Sequence, residues 1–252
     1  MTGHRRAGLT GVVTVLLVTG LTGCGSAPHP APTPVGSVWS WGEDYYGQLG
    51  KPGSWESSEL YLPAVIPDLS NVVSLAAGTG AFYAVDADGV VWASGLDWHG
   101  ELGVPPKHDP GGKAVRAVEG LPAVRLVATD KSYLPIEHPD GQPAIDAIAA
   151  SFAVDLSGQL WGWGGDRYCQ MTTPDRQTVT NPTRIPAMTG VAAVTSVYGS
   201  VFAVKTDGSV WAWGNNDHRQ VEDGDNPDSC DPQPIPGLTG VTMVDGDIEG
   251  AV

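Results

Sequence analysis

The chain has 252 residues, with 13 basic and 28 acidic side chains and a formal charge of −15 at pH 7. A surface this acidic repels phosphate backbones, which argues against nucleic acid as a partner. The chain also contains 34 glycines and 21 prolines, and after the N-terminal segment no stretch keeps the apolar spacing of a capped helix. We therefore expect an all-β fold.

The first 23 residues have the composition of a targeting segment. Arg5 and Arg6 precede an apolar run at 7–21, which is shorter than a membrane-spanning helix requires. The run ends in Leu21-Thr22-Gly23-Cys24, which resembles the bacterial lipobox. This resemblance implies a lipoprotein signal peptide at 1–23 and a lipid on Cys24, with an ordinary signal peptide and an incidental cysteine as the alternative. We then expect the protein on the extracytoplasmic face of the cell membrane, where only the lipid anchor contacts the bilayer.

Residues 24–36 follow as a proline-rich tether that holds the remaining chain away from the membrane. Prolines at positions 28, 30, 32 and 34 favour an extended chain. Removal of residues 1–23 would leave 11 basic and 28 acidic side chains, a formal charge of −17.

Four copies of one short pattern dominate residues 37–252. They read Val38-Trp39-Ser40-Trp41-Gly42, Val91-Trp92-Ala93-Ser94-Gly95, Leu160-Trp161-Gly162-Trp163-Gly164 and Val210-Trp211-Ala212-Trp213-Gly214. The final glycines lie 53, 69 and 50 residues apart. A period near fifty residues, with one longer interval, indicates a repeat architecture.

The match between copies extends on both sides of the tryptophans. A short acceptor follows each glycine, at Asp44, Asp97, Asp166 and Asn216, and then a Gln or Glu, at Gln48, Glu101, Gln170 and Gln220. Before three of the copies, an apolar strand ending in Ala-Val leads into Asp88-Gly89, Ser157-Gly158 or Asp207-Gly208. These dipeptides predict β-hairpins with two-residue turns.

Short strands in units of this size cannot bury an apolar face alone, so each unit must pack on its neighbours. A radial stack of small sheets, the β-propeller, meets this requirement. We expect the tryptophans of the pattern to pack between sheets. A carbohydrate-stacking surface is the alternative role for these rings.

Residues 41–50, Trp-Gly-Glu-Asp-Tyr-Tyr-Gly-Gln-Leu-Gly, resemble the signature of the regulator of chromosome condensation repeats. The other copies depart from it at Ser94, Cys169 and Arg219. The resemblance implies a propeller, with units at about 37–89, 90–158, 159–208 and 209–252. Members of the family typically close seven blades, whereas this chain holds about four. We favour a partial propeller over a small closed ring.

Two cysteines besides Cys24 fall in predicted loops of consecutive units, at Cys169 and Cys230. They could form a disulfide between neighbouring blades, or remain two free thiols. We expect no cofactor and no metal centre. The acidic run at 222–228 could hold calcium through its oxygens, but it lacks the spacing of a known calcium loop.

Comparison of the copies also indicates which loop positions are exposed. The two residues after each acceptor read Tyr45-Tyr46, Trp98-His99, Arg167-Tyr168 and Asp217-His218, a variety that a packed interior would not accept. Aromatic and arginine side chains on firmly held loops are typical of protein-binding sites. The candidate partner-binding residues are therefore Tyr45, Trp55, Trp98, Arg167 and Tyr168. Alternatively, the rings lie flat over their own blades.

The sequence thus favours a lipid-anchored, extracytoplasmic protein-binding module that is not an enzyme. Bacterial relatives in this repeat family include a secreted inhibitor of β-lactamase, so the resemblance makes a cell-envelope enzyme a plausible class of partner. A polysaccharide-binding or hydrolytic protein is an alternative, and Glu137, Asp140 and either Asp223 or Asp225 would then have to converge. The first two lie in an insertion at about 129–148, which is either a functional loop or a variation in length. A truncated repeat fragment without function is a third possibility.

Overall fold

The computed structural model describes residues 14–18, 36–44, 47–51, 60–67, 69–78, 80–97, 100–103, 112–131, 136–137, 143–144, 149–221, 228–247 and 250–251. Within these ranges the regular elements are 19 β-strands, and no helix is present. None of the described segments is therefore a helix with the length and apolar character needed to cross a membrane.

The strands form antiparallel sheets that follow one another along the chain. The first sheet contains β1 (Thr14–Val18), β2 (Ser37–Glu43) and β3 (Leu60–Val65). The second contains β4 (Val72–Ala77), β5 (Ala81–Asp86), β6 (Val91–Gly95) and β7 (Gly112–Ala117). The third begins with β8 (Val124–Thr129), which is followed by a separate ribbon of β9 (Ile136–Glu137) and β10 (Pro143–Ala144).

The third sheet continues with β11 (Ala150–Asp155), β12 (Leu160–Gly164) and β13 (Val179–Arg184). The fourth sheet contains β14 (Val191–Val197), β15 (Ser200–Lys205), β16 (Val210–Asn215) and β17 (Asp228–Pro234). A short ribbon of β18 (Gly246–Asp247) and β19 (Gly250–Ala251) follows.

The sheets are offset by half a unit from the repeats in the sequence. In the second sheet, β4 and β5 come from the first predicted unit, whereas β6 and β7 come from the second. The third and fourth sheets are divided in the same way. Each of the first three units therefore contributes strands to two adjacent sheets.

The glycine at the end of each Trp pattern permits a close approach between strands. The pairing of the third and fourth strands slips by two residues at Trp163 and again at Trp213. The next residue, Gly214, has φ +96°, and a Cβ atom there would lie 2.1 Å from the carbonyl oxygen of Gly199. At Gly164 the corresponding distance, to the carbonyl oxygen of Ala149, is 2.4 Å. Only glycine fits at such a position.

The hairpin turns are longer than the predicted two residues. Val85 pairs with Val91, and the intervening turn takes a positive φ only at Gly89. Its shape depends on Asp86, whose Oδ1 accepts the backbone N–H groups of Asp88 and Val90 at 3.0 and 2.9 Å. The turn is therefore organised by the Asp86 carboxylate at the end of β5, and not by Asp88 of the Asp-Gly pair.

The two tryptophans of each pattern have different environments. Trp163 and Trp213, the second of their pairs, are fully buried. Trp92 and Trp161, the first of theirs, are half-buried, and their Nε1 atoms donate to the carboxylates of Asp86 and Asp155 at 2.8 and 3.0 Å. The prediction that the pattern tryptophans pack between sheets is thus met most fully by Trp163 and Trp213.

Apolar clusters join the sheets in chain order. Val38 and Ile66 of the first sheet pack with Phe82 of the second. A second cluster joins the second sheet to the third and contains Tyr83, Val124 and Trp163. A third joins the third sheet to the fourth and contains Phe152, Met188 and Trp213. The all-β prediction is confirmed, and the stacked sheets agree with a partial propeller.

The N-terminal strand lies inside the predicted signal peptide. Residues 14–18 form β1 and pair with β2, so that Leu16 lies opposite Trp39. In the complete sheets, Ala84, Ala153 and Ala203 occupy the position opposite the corresponding tryptophan. Cys24 and the tether, apart from Gly36, lie outside the described residues.

Candidate functional site

Loops of neighbouring sheets meet at one end of the strands. Because successive strands are antiparallel, the first and third connections of each four-stranded sheet leave at the same end. We call this end the loop face. In the third and fourth sheets its described part comprises residues 130–131, 136–137, 143–144, 149, 165–178, 198–199 and 216–221.

The short acceptor of each repeat organises the third connection of its sheet. The backbone N–H five residues later donates to its side-chain oxygen in all four copies, from Leu49 to Asp44 (2.7 Å), Leu102 to Asp97 (3.1 Å), Met171 to Asp166 (2.8 Å) and Val221 to Asn216 (3.0 Å). All four acceptors are buried. Burial raises the pKa of Asp97 and of Asp166, against the lowering effect of these hydrogen bonds.

The indoles of the second tryptophans fix the same loops from the neighbouring sheet. Trp163 Nε1 donates to the carbonyl oxygen of Glu101 at 2.7 Å, and Trp213 Nε1 donates to that of Gln170 at 2.7 Å. Trp163 also lies edge-on to Tyr83, and Trp213 edge-on to Phe152, with ring centroids 5.9 and 6.4 Å apart. Each such tryptophan therefore joins two sheets and holds a loop of the preceding one.

One half-buried pair of tyrosines, with an exposed arginine beside it, lies on this firmly held part of the loop face. Arg167 is exposed, and its Cζ lies 5.6 Å from the centroid of the Tyr168 ring. That ring stacks on Tyr198, with centroids 6.5 Å apart and planes at 27°. Burial raises the pKa of Tyr168, which lies against the backbone of Gly199. We call Arg167, Tyr168 and Tyr198 the tyrosine platform.

One covalent link and one ion pair fix the loop that carries the platform. Cys169 and Cys230 form a disulfide, with the sulfur atoms 2.00 Å apart. Arg176 Nη1 lies 2.5 Å from Asp228 Oδ2. Both links connect the third connection of the third sheet to β17 of the fourth. Cys230 lies within that strand, and not in a loop as the sequence suggested.

A buried carboxylate provides a further link below the platform. Asp130 Oδ2 accepts the hydroxyl of Ser196 at 2.7 Å and the backbone N–H of Gly199 at 3.0 Å. The end of β8 is thereby attached to the turn between β14 and β15. Sequence reasoning missed both Asp130 and Tyr198, because neither position repeats a residue type among the copies.

The structure describes only part of the predicted site. Arg167 and Tyr168 lie together on the loop face, whereas Tyr45, Trp55 and Trp98 lie outside the described residues. The same applies to the side chains of Glu137, Asp140, Asp223 and Asp225, and to residues 222–227 of the acidic run. Among the residues that are described, no three His, Cys, Asp or Glu side chains are grouped so that they could hold a metal ion.

Comparison with known proteins identifies the repeats. The model of the regulator of chromosome condensation (RCC1) repeat matches residues 35–85 and 207–246, and a second model of this repeat matches residues 191–220. The probable E3 ubiquitin-protein ligase HERC6 of Homo sapiens is 28% identical over 166 residues, which are 64% of this chain and 14% of that protein.

Two solved structures have similar folds. Human WBSCR16 aligns with a TM-score of 0.63 and 24% identity, over 81% of this chain and 49% of its own. Prp20p of Saccharomyces cerevisiae aligns with a TM-score of 0.65 and 19% identity, over 86% of this chain and 50% of its own. The chain thus spans about half of each of these structures and a much smaller part of HERC6. Residues 35–85 and 191–246 match the RCC1 repeat, and the described sheets are stacked as in part of a β-propeller.

Proposed function

We propose that this protein is a lipid-anchored, extracytoplasmic RCC1-repeat protein that binds another protein through its loop face. The observation that carries the proposal is the tyrosine platform. Arg167 is exposed above two stacked tyrosines, and a disulfide and a tryptophan indole hold the loop beneath them. A site that is ordered before binding loses little conformational entropy when a partner arrives.

The similar proteins support a binding role, although only by analogy. Prp20p has binding properties toward Gsp1p and histones. These partners are those of Prp20p and are not assigned to this chain. The formal charge of −15 makes nucleic acid itself an unfavourable partner for this chain. A protein of the cell envelope, such as an enzyme, is the partner class that a lipid anchor at Cys24 would favour. The chain itself would perform no catalysis and need no cofactor.

The alternative of a polysaccharide-binding or hydrolytic protein has less support. Trp163 and Trp213 are fully buried, and their indole nitrogens are engaged within the protein. These two rings therefore cannot stack on a sugar. The four carboxylates that a hydrolase would use lie outside the described side chains, so no described feature supports a catalytic cleft.

Chemical cross-linking on intact cells that produce the full chain, followed by capture from the membrane fraction, tests the proposal. The chain with Arg167→Ala and Tyr198→Asn should lose a cross-linked partner that the unchanged chain captures. Asparagine is chosen at 198 because Tyr198 has φ +50°, which asparagine tolerates. A Cys24→Ser chain should leave the membrane fraction.

The matched control carries two exposed substitutions at the opposite end of the strands, Asp88→Ala and Leu156→Ala. It should capture the partner as the unchanged chain does. Equal recovery by all three chains would exclude the platform as the binding site. Retention of the Cys24→Ser chain in the membrane would exclude the lipid anchor.

A further inference from the structure

The contact between sheets has two halves, and the chain repeats it three times. One half is an apolar triplet between the fourth strand of a sheet and the first strand of the next, namely Ile66/Leu69/Val72, Val118/Leu121/Val124 and Ile185/Met188/Val191. The other half comes from the following sheet, whose tryptophans pack on that triplet. Trp92 packs in the first of these contacts, Trp161 and Trp163 in the second, and Trp211 and Trp213 in the third.

The two outer sheets each present one half of this contact without the other. On the fourth sheet the corresponding triplet is Ile235, Leu238 and Val241. Leu238 is 44% exposed, whereas Met188 at the equivalent position is 0% exposed. Ile235 and Val241 are half-buried, whereas Ile185 and Val191 are fully buried. The end of the fourth sheet is thus an uncovered copy of the triplet.

The first sheet presents the tryptophan half. Trp41 is partly exposed, although Trp163 and Trp213 at the same position are fully buried. The indole nitrogen of the other tryptophan, Trp39, lacks a hydrogen bond within the described residues. Its Nε1 is buried and has no hydrogen-bond partner among the described residues, whereas the nitrogens of Trp92 and Trp161 donate to carboxylates. A buried indole N–H without an acceptor is unfavourable.

We propose that two copies of this chain associate end to end, with the Trp39/Trp41 end of each on the Ile235/Leu238/Val241 end of the other. The apolar clusters join the first sheet to the second, the second to the third and the third to the fourth, and no described cluster joins the fourth to the first. Among the described residues, neither of these two ends is covered by another sheet. The new contact repeats one that the chain already makes within itself.

A pair of such contacts produces a closed assembly. Each contact is between different surfaces, and two of them related by a two-fold axis satisfy both ends of both copies. Because this chain spans 49% and 50% of the two solved structures, two copies supply about the length of one of them. The assembly should therefore stop at two copies and not continue as a filament.

Measurement of mass in solution by light scattering, over a range of protein concentrations, tests this inference. The protein is the full chain with Cys24→Ser, which prevents lipid attachment. Trp41→Ser removes the partly exposed ring from the tryptophan half and leaves Trp39 in place. The second repeat shows that the fold accepts serine here, because Ser94 occupies this position and donates to the carbonyl oxygen of Gly47 at 2.9 Å. Leu238→Asp disrupts the other half at an exposed residue. Each substitution should weaken the dimer at least about 100-fold, as expected for a central residue of an interface.

Two controls distinguish this interface from loss of folding. Leu62→Asp alters a residue of β3 that is 84% exposed and lies outside the proposed contact, so its dimer should be unchanged. A mixture of the Trp41→Ser and Leu238→Asp chains retains one intact contact and should form mixed dimers that neither chain forms alone. A single-chain mass at every concentration would overturn the inference. A dimer that survives both substitutions would overturn it equally.

Discussion

A single side chain sets the form of each third connection, and its charge is not needed for that role. Asp44, Asp97 and Asp166 accept a backbone N–H five residues later, and Asn216 does the same in the fourth sheet at 3.0 Å. Ionisation of a buried carboxylate is costly because water is excluded from it. This cost explains why burial is the main cause of the raised pKa of Asp166. The amide of Asn216 forms the same bond without that cost.

We therefore predict that Asp166→Asn stabilises the protein at neutral pH. Burial raises the pKa of Asp166 in the folded state, so the folded chain binds its proton more tightly than the unfolded chain does. The carboxylate then reduces stability as pH rises above the unfolded value, about 3.9, and this reduction is complete above the raised folded pKa. The substituted chain should have the higher melting temperature at pH 7, and the difference should disappear by about pH 3.

Thermal unfolding of both chains across this pH range provides the measurement. Asn216→Asp is the reciprocal control and should lower the melting temperature at pH 7, because it buries a new carboxylate. The hypothesis fails if Asp166→Asn destabilises the chain at pH 7, or if its effect is the same at pH 3. Such a result would mean that the bond from Thr173 to Asp166 outweighs the cost of burial.

At the level of the elements, long-range links hold the platform loop in place. The disulfide joins Cys169 and Cys230, which are 61 residues apart, and so connects the third sheet to the fourth. Closing a loop of this length in the unfolded chain reduces its entropy, which corresponds to about 4 kcal/mol of folded-state stability. The adjacent pair of Arg176 and Asp228 contributes less, because the arginine is largely exposed to water.

The double substitution Cys169→Ser and Cys230→Ser should lower the free energy of unfolding by about 4 kcal/mol. For a chain of this size, that loss corresponds to a fall of roughly 10 °C in melting temperature. Calorimetry on the unchanged chain with and without a reducing agent gives an independent value, which should agree with that of the double variant. Arg176→Gln, which breaks the ion pair and keeps the disulfide, should cost less than the double variant. An unchanged melting temperature after complete reduction would show that the disulfide contributes nothing.

The elements differ in how far the sequence could predict them. The third strands, β6, β12 and β16, follow from the alternation of Val and Trp, because this local pattern directly reflects the two faces of a strand. The turn after β5 was predicted too short, because Asp86 acts through hydrogen bonds to residues that the dipeptide pattern does not consider. The pairing of β1 with β2 joins segments about 20 residues apart, and nothing in the composition of residues 14–18 indicates it.

The candidate site was predictable only in part, for a similar reason. Arg167 could be assigned to the surface because its column varies between copies. Tyr198 could not be assigned, because its contribution depends on stacking with Tyr168 across two sheets. Contacts between sheets depend on the stack as a whole, whereas comparison of repeats reveals only what recurs within each unit.

For the whole molecule, the half-unit offset between repeats and sheets has an energetic consequence. The unit that spans about 90–158 supplies β6 and β7 to the second sheet and β8 and β11 to the third. If that unit unfolded alone, both sheets would lose half of their strands, and the indole of Trp163 would lose its acceptor at Glu101. Unfolding of that one unit would therefore expose apolar surface of both the second and the third sheet. This coupling should make the stack unfold as one cooperative body.

The last prediction follows from that coupling and addresses the possibility of a fragment without stable structure. The full chain with Cys24→Ser should unfold in a single transition, with the same midpoint for far-ultraviolet circular dichroism, which follows the sheets, and for near-ultraviolet circular dichroism, which follows the buried Trp163 and Trp213. The calorimetric and van't Hoff enthalpies should agree. Two separated midpoints would show that the sheets unfold independently despite their shared repeats. The absence of any transition would show that the repeats do not form a folded domain, and the binding and dimer proposals would fail with it.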